Sequence, residues 1–553
     1  MMMKRAAALL LIAVVCAFVS GTGPEGETRV RVFETSDIHG CLMDTSSGRE
    51  ETFQYRLARI ARLVDEGRSD PEVDAVLLLD GGDVYQGTPV SDRLRGSEMR
   101  AAMDAMGYDA VVLGNHEFDW DVETYAADPD ATVPAYDLGD FSGDPVIPVL
   151  AGGLTYAADG KSVPFTRDYV IVEKAGLRIA LIGYIPDFSR SVLTEKIAPY
   201  RIDGSFSSLR ERIRAVRASE KPDVTVVVAH ADATLVAEAL DPRDVHLVTG
   251  GHKHQGVAGL AKSGVPYIQA DSSARGYASA DIVVSPDGSV RVETSAYTSV
   301  TLDRASLCDR PENRDLLDRK VLAISHAAWE LAGGGMGEVL GRVTASVSRT
   351  VPTGDNGSTA AGNFLTGLML RAVRDTGAVI AFYNSGGIRT SLNVPRGQAS
   401  REITVGDIYT IAPFGNRLMV YDLTGAELKR QLTAGLENSN YGDQMSGLTF
   451  EYIDHGTLED PDPEILSIAL DDGTVVDMED TVTKYRVCVS SYSATLPGSV
   501  FEGKTPLRSE EEAPVDNEAF IRALRDISGE NGGFIPVDLG PRGILSEAAD
   551  GAA

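Results

Sequence analysis

Between Arg29 and Ala305 the chain repeats one pattern that limits the folds open to it: a short apolar run that stops abruptly at small and polar residues. "VRVFETSDIHG", "AVLLLDGGD", "AVVLGNHE", "RIALIGYIP", "VTVVVAHAD" and "VHLVTGGHKH" all have this form. Unbroken apolar runs of about four to eight residues are the signature of strands buried on both faces. Amphipathic segments such as "QYRLARIARLVDEG" and "SSLRERIRAVRAS" lie between several of them, which predicts sheet layers covered by helices. "DIVVSPDGSVRVETSAYTSV" reads as a hairpin that closes this unit.

A chain of 553 residues exceeds what one core supports, so at least two domains are expected. The first runs from residue 28 to 305. In residues 311–332, Leu317, Val321, Ile324, Ala328 and Leu331 recur at spacings of three and four, which predicts one helix with a single apolar face. Pro311 suits its first turn and the glycines at 333–335 end it, so 311–335 is read as an interdomain helix and hinge. A second α/β or α+β domain is expected over 338–553. Residues 1–21 have the form of a secretion signal: basic "MMMKR", an apolar stretch too short to span a bilayer with margin, then small residues. The expectation is an extracytoplasmic protein, periplasmic or secreted, with no stable membrane span after cleavage; a retained anchor is the alternative. Cys41, Cys308 and Cys488 remain, too few and too scattered for a disulfide framework or a Cys-x-x-Cys metal site.

The polar ends of the apolar runs carry the chemistry. Asp37 and His39, Asp83, Asn115 with His116 and Asp119, His230, and His252 with His254 all follow predicted strands, and five of the eight histidines lie there. Open α/β sheets bind ligands at such strand ends. The side-chain types fit two divalent ions: Asp37 and His39 grip one, the two oxygens of Asp83 bridge both, Asn115 adds a carbonyl oxygen, and His230, His252 and His254 complete the set. Two divalent ions against two carboxylates leave a surplus of about two positive charges, which a phosphate dianion matches. With no thiolate present, Zn, Mn, Fe, Co and Ca are all compatible. His116 then stays free of metal to reach a phosphoryl oxygen or leaving group, with Asp119 holding its ring. His246, His326 and His455 lie outside the pattern and are expected to be ordinary structural or surface histidines. A net charge of −30 argues against a nucleic-acid polymer as partner, but not against a small phosphate ester in a locally positive site.

The motif order D-x-H, GD, GNHE, H and GHxH resembles the calcineurin-like metallophosphoesterases. The longer stretches "DGGDVYQGTP" and "GNHEFDW", together with "NSGGIRTSL" downstream, resemble the secreted 5′-nucleotidase family, which includes 2′,3′-cyclic-nucleotide phosphodiesterases and UDP-sugar hydrolases. That resemblance implies a four-layer α/β/β/α metal domain, a linking helix and a substrate-binding domain that rotates. It assigns Asp37, His39, Asp83 and His254 to one ion, Asp83, Asn115, His230 and His252 to the other, and His116 and Asp119 to a catalytic dyad. It further implies substrate contacts from Asn384, Gly386, Gly387 and Arg389, and a pair of aromatics that clamp a nucleobase. Tyr441 matches the first aromatic, and Tyr492 or Phe501 replaces the second, because "SSYSATLPGSVF" stands where the family carries a Gly-Gly-Asp-Gly-aromatic stretch. "GSTAAGNFL" also lacks the acidic residue usual before that helix. Asn416 is a candidate for the cleft and Phe414 is expected in the core. The implied reaction is removal of phosphate from nucleoside 5′-monophosphates, with diphosphates or UDP-sugars as further substrates. The alternative is action on 2′,3′-cyclic and 3′-nucleotides. A silent binding protein of the same fold would carry degraded motif positions, and none of those named is degraded.

Overall fold

The structure, a computed structural model, describes residues 26–45, 50–119, 147–188, 192, 194–437, 443–457, 460–496, 498–509 and 512–546. The segment read as a secretion signal and Tyr441 lie outside the described residues.

The first apolar run becomes the strand Thr28–Thr35, paired in parallel with Ala75–Asp80 from Val30 opposite Ala75 to Thr35 opposite Asp80. Alternate side chains leave a strand on opposite faces, and here both faces are buried. Val30, Val32, Leu77 and Leu79 point into a core shared with a second sheet, while Phe33, Val76 and Leu78 pack against helices. The first sheet has seven strands in the order Val290–Ser299, Gly276–Val284, Thr28–Thr35, Ala75–Asp80, Ala110–Val112, Val149–Leu150 and Thr166–Arg167. The second has six, in the order Val257–Leu260, Pro266–Gln269, Leu247–Gly250, Val224–Ala229, Leu177–Tyr184 and Tyr169–Lys174. Its outer face, with Ala180, Ile182, Val227 and Val248, is covered by Leu209, Ile213 and Val216 of the helix Phe206–Glu220. Helix, sheet, sheet and helix therefore stack as the four layers expected, and the predicted closing hairpin is the antiparallel pair Gly276–Val284 and Val290–Ser299.

The linking helix is shorter than its sequence pattern suggests. It spans Arg319–Ala332, preceded by a single turn at Pro311–Asn313. The break has a local cause: the Asn313 amide donates to the carbonyls of Ala305 and Cys308, and the helix restarts where the Asp318 carboxylate caps the N–H groups of Lys320 and Val321. Val321, Ile324 and Ala328 are buried with Leu317 in the helical layer of the first domain. Leu331 is 53% exposed, since Ala332 takes the inward position of the last turn. Beyond it, a four-stranded sheet runs Leu418–Leu423, Tyr485–Ser490, Ile380–Asn384 and Asp443–Ser446. Ala381 and Tyr383 face a core with the helices Ala360–Ala372 and Asp516–Glu530, and Ile380 and Phe382 face another with Leu428 and Leu432 of the helix Gly425–Glu437. The three cysteines are free and buried, and no helix among the described residues is long and apolar enough to cross a membrane.

Candidate metal centre and catalytic cleft

Each of the strands Thr28–Thr35, Ala75–Asp80, Ala110–Val112, Val224–Ala229 and Leu247–Gly250 ends where a motif begins, so loops from both sheets meet at one edge. The loops turn sharply. Asp37, His39, Asp83, His252 and His254 adopt φ values of 52°, 52°, 56°, 70° and 52°, half of the ten non-glycine residues with positive φ among those described. Such backbone is costly for residues with a Cβ and persists where surrounding structure enforces it, commonly at functional sites. Glycines allow the crowding: a Cβ on Gly114 would lie 2.1 Å from Asp83 Oδ1.

Two triads of potential ligand atoms result, Asp37 with His39 and His254, and Asp83 with His230 and His252; within each the atoms lie within 4.8 Å of one another. His254 Nε2 is 3.3 Å from Asp37 Oδ1, and His230 Nε2 is 3.2 Å from both Asp83 Oδ2 and Asn115 Oδ1. His39 Nε2 is 4.0 Å from Asp83 Oδ2, so Asp83 faces both groups. The Nδ1 of His39 lies 2.9 Å from the Gln86 carbonyl and that of His230 lies 2.7 Å from the Gly81 carbonyl. An N–H there donates to the carbonyl and makes Nε2 the ring atom that faces the site, the arrangement metal-binding histidines use. Charge tells the same story. Burial opposes ionisation of Asp37, yet the hydrogen bond and charge of His254 hold its carboxyl down at about 2. Burial also disfavours a charged His230, and Asp83 overrides it, raising the ring to about 10. The buried carboxylates draw positive charge from whatever lies nearest. Burial, with neighbouring cationic groups, pushes His39 well below the usual imidazole range and His252 down to about 4, which keeps both as neutral donors. The donor set fits two divalent cations.

His116 stands apart from both triads. Its backbone N–H donates to Asp83 Oδ1 at 2.8 Å and its ring Nδ1 lies 2.6 Å from Asp119 Oδ2. Burial disfavours the charged ring, but Asp119 and Asp83 outweigh it and raise its pKa. Glu117, whose role its motif does not reveal, accepts hydrogen bonds from the N–H groups of Asp83, Val84 and Gly114 and so ties two of the loops together.

The second domain completes a cleft of about 500 Å³ over this centre. Asn384, Gly386, Arg389, Asn416 and Tyr492 line it. Gly387 does not; it packs behind the loop, where a Cβ would lie 2.7 Å from Tyr383 Cε1. Arg389 Nη2 donates to His39 Nε2 at 3.2 Å, which carries a guanidinium from the second domain to the first triad. Phe414 is not a core residue: its ring stacks on His116 with centroids 5.2 Å apart and lies under the Arg389 guanidinium at 5.5 Å. The apolar look of Phe414 concealed this, because an aromatic that closes over a polar site reads in sequence like one that fills a core. Phe501 is buried and packs on Tyr421, which leaves Tyr492 as the aromatic of that region in the cleft. Sequence reasoning also missed Arg349, which lines the cleft and donates to the Arg389 carbonyl at 2.9 Å, and Lys253 and Arg275 on the opposite wall. His246, His326 and His455 bond locally, to Thr225, Asp309 and Glu464.

Comparison with known proteins gives a consistent picture. Residues 30–256 match the family model for calcineurin-like phosphoesterases, and residues 339–501 match that for the 5′-nucleotidase C-terminal domain. The trifunctional nucleotide phosphoesterase protein YfkN of Bacillus subtilis is 23% identical over 92% of this chain, which spans 34% of that protein's length. A 5′-nucleotidase of Diplobatis ommata is 24% identical over 80% of this chain and 77% of its own length. Among solved structures, the 5′-nucleotidase precursor of Thermus thermophilus superposes with a TM-score of 0.72 at 22% identity, covering 94% of this chain and all of that one.

Proposed function

The chain belongs to the family that joins a calcineurin-like phosphoesterase domain to a 5′-nucleotidase C-terminal domain, and on that premise we infer that it is an extracytoplasmic phosphohydrolase of nucleotides. The observation that carries the reading is the meeting of two ligand triads, a free His116–Asp119 pair and a guanidinium from the second domain in one cleft. Asp37, His39 and His254, and Asp83, His230 and His252 with Asn115, would hold two divalent cations. Such ions supply a Lewis-acid pull on phosphoryl oxygens and a nucleophile at neutral pH. The protein's own residues supply the rest. Arg389, with Arg349 behind it, neutralises phosphoryl oxygens that face the triads, in the forked geometry guanidinium favours. His116, whose charged form Asp119 favours, donates a proton or hydrogen bond to the departing ester oxygen or a phosphoryl oxygen. Phe414 and Tyr492 offer flat apolar surfaces suited to a nucleobase or ribose.

Nucleoside 5′-monophosphates are the substrates this reading favours, with UDP-sugars as an extension; 2′,3′-cyclic and 3′-nucleotides are the second reading, favoured by the same motifs. The basic and apolar composition of residues 1–21 supports export. The test is phosphate release from a panel of 5′-, 3′- and cyclic nucleotides and UDP-sugars with added Mn or Zn. Preference for the 5′-nucleotides supports the reading. Cleavage of an artificial aryl phosphate alone contradicts it.

A further inference from the structure

Behind the second domain's wall of the cleft lies a buried acid that the reaction described above does not use. Asp516 opens the helix Asp516–Glu530 and is fully buried, and among the described residues no basic side chain pairs with it. Its Oδ2 accepts the Tyr383 hydroxyl at 3.0 Å and its Oδ1 accepts the Asn517 N–H at 2.6 Å. Its own N–H donates to the Asn416 carbonyl at 2.8 Å. Burial pushes the carboxyl up to about 7, so near neutral pH it can stay uncharged without a cation beside it.

Both partners stand next to residues of the cleft. Tyr383 is fully buried and directly precedes Asn384 in the strand Ile380–Asn384. The Gly387 backbone packs on its ring so closely that a Cβ there would lie 2.7 Å from Cε1. The loop that carries Asn384, Gly386 and Arg389 therefore rests on the Tyr383 ring. Asn416 lines the cleft two residues after Phe414, whose ring stacks on His116. The two loops also meet each other, since the Arg389 N–H donates to the Ile411 carbonyl at 2.9 Å. Asp516 thus bridges them from behind, with its side chain on Tyr383 and its main chain on Asn416. Truncating the side chain would break one end of that bridge and leave the other.

Groups that bind a reacting substrate must be held within about 0.5 Å of their productive places, and loops hold them less well than helices and strands do. Resting on the phosphohydrolase reading above, we propose that Asp516 is a positioning residue: buried behind the cleft, it joins Tyr383 to Asn416 and so sets where Arg389 and Phe414 stand over the triads.

The test uses the full chain with Mn supplied, as wild type, Asp516→Asn, Asp516→Ala, Arg389→Ala and the double variant of Asp516→Ala with Arg389→Ala. Asparagine still offers an oxygen to the Tyr383 hydroxyl, so Asp516→Asn should keep kcat/KM for adenosine monophosphate within about threefold of wild type. Asp516→Ala should lose at least about tenfold. Tyr383→Phe, which removes only the hydroxyl, should lose a similar factor, and it carries the same comparison if Asp516→Ala does not fold. Independent effects would make the loss in the double variant the product of the two single losses. Positioning through Arg389 makes it smaller than that product by at least about threefold. Losses that multiply, full activity in both Asp516→Ala and Tyr383→Phe, or Asp516→Asn as impaired as Asp516→Ala would overturn the proposal. Failure of the broader reading looks different: wild type then cleaves no nucleotide, and calorimetry with inorganic phosphate on the same variants decides whether Asp516 acts through Arg389.

Discussion

At the residue scale the centre depends on side chains that serve more than one neighbour. Asp83 accepts the His116 N–H through Oδ1, faces His230 and His39 through Oδ2, and receives the Glu117 carboxylate at its own backbone N–H. Asp119 has a narrower task, and its effect has a definite sign. Asp119 and Asp83 raise the His116 pKa above its ordinary value despite burial, so the ring is cationic below that pKa and loses its proton as pH rises through it. Asp119→Asn removes the larger of the two raising charges. The alkaline limb of the kcat/KM profile should then move to lower pH, with turnover reduced about tenfold or more, and an unmoved limb would detach Asp119 from this role. The residues of the two triads were readable in the sequence as a group because metal chemistry admits few side-chain types and the motifs keep them next to strand ends. Phe414 and Glu117 were not, because what each does depends on what stands opposite it in space.

At the scale of elements, the strands announced themselves by being apolar on both faces, and the helix Arg319–Ala332 by its buried stripe. Its start was misread because spacing alone cannot register that Asn313 is occupied with the carbonyls of Ala305 and Cys308. Asp318 sets that start. Asp318→Ala should cost about 1 kcal/mol by removing the cap, and Ile324→Ala about 2–5 kcal/mol by opening a cavity in the helical layer, both measured by denaturant unfolding; an Asp318→Ala variant as stable as wild type would contradict the capping role. The helix Ser97–Met106 carries a different prediction. Burial pushes Glu98, whose two carboxyl oxygens find no hydrogen-bond partner among the described residues, up to about 7. The folded state therefore holds this proton more tightly than the unfolded chain, whose glutamate titrates near 4.5. Stability from this group is full below the unfolded pKa and declines as pH rises to about 7. Glu98→Gln should match wild type near pH 4 and exceed it at pH 8 by on the order of 3 kcal/mol. A constant difference across that range would place the penalty elsewhere.

At the scale of the whole molecule, the first domain gathers the donor set and the second brings Arg389, Phe414 and Tyr492 over it, so neither holds the full cleft alone. The connection between them is itself held: Arg93 Nη1 donates to the carbonyls of Ala332 and Gly334 at 2.7 and 2.9 Å, and its guanidinium lies 5.9 Å from the Tyr409 ring centre. The family resemblance implies rotation about this linker. A covalent cross-link between cysteines introduced as Arg93→Cys and Tyr409→Cys should slow turnover severalfold while leaving metal content intact, and full speed in the locked protein would count against rotation. The two-domain plan was legible from the change of motif type along the chain, whereas the reach of Arg389 to His39 was not, since it joins residues 350 positions apart. Metal stoichiometry with turnover in the same preparation is the most direct measurement. Elemental analysis should find two divalent ions per chain in wild type and a loss of ions and activity together in Asp83→Asn. His116→Gln should keep both ions and lose at least about a hundredfold in turnover. Chelated protein that still hydrolyses nucleotides, or Asp83→Asn that keeps both ions and full activity, would contradict the account.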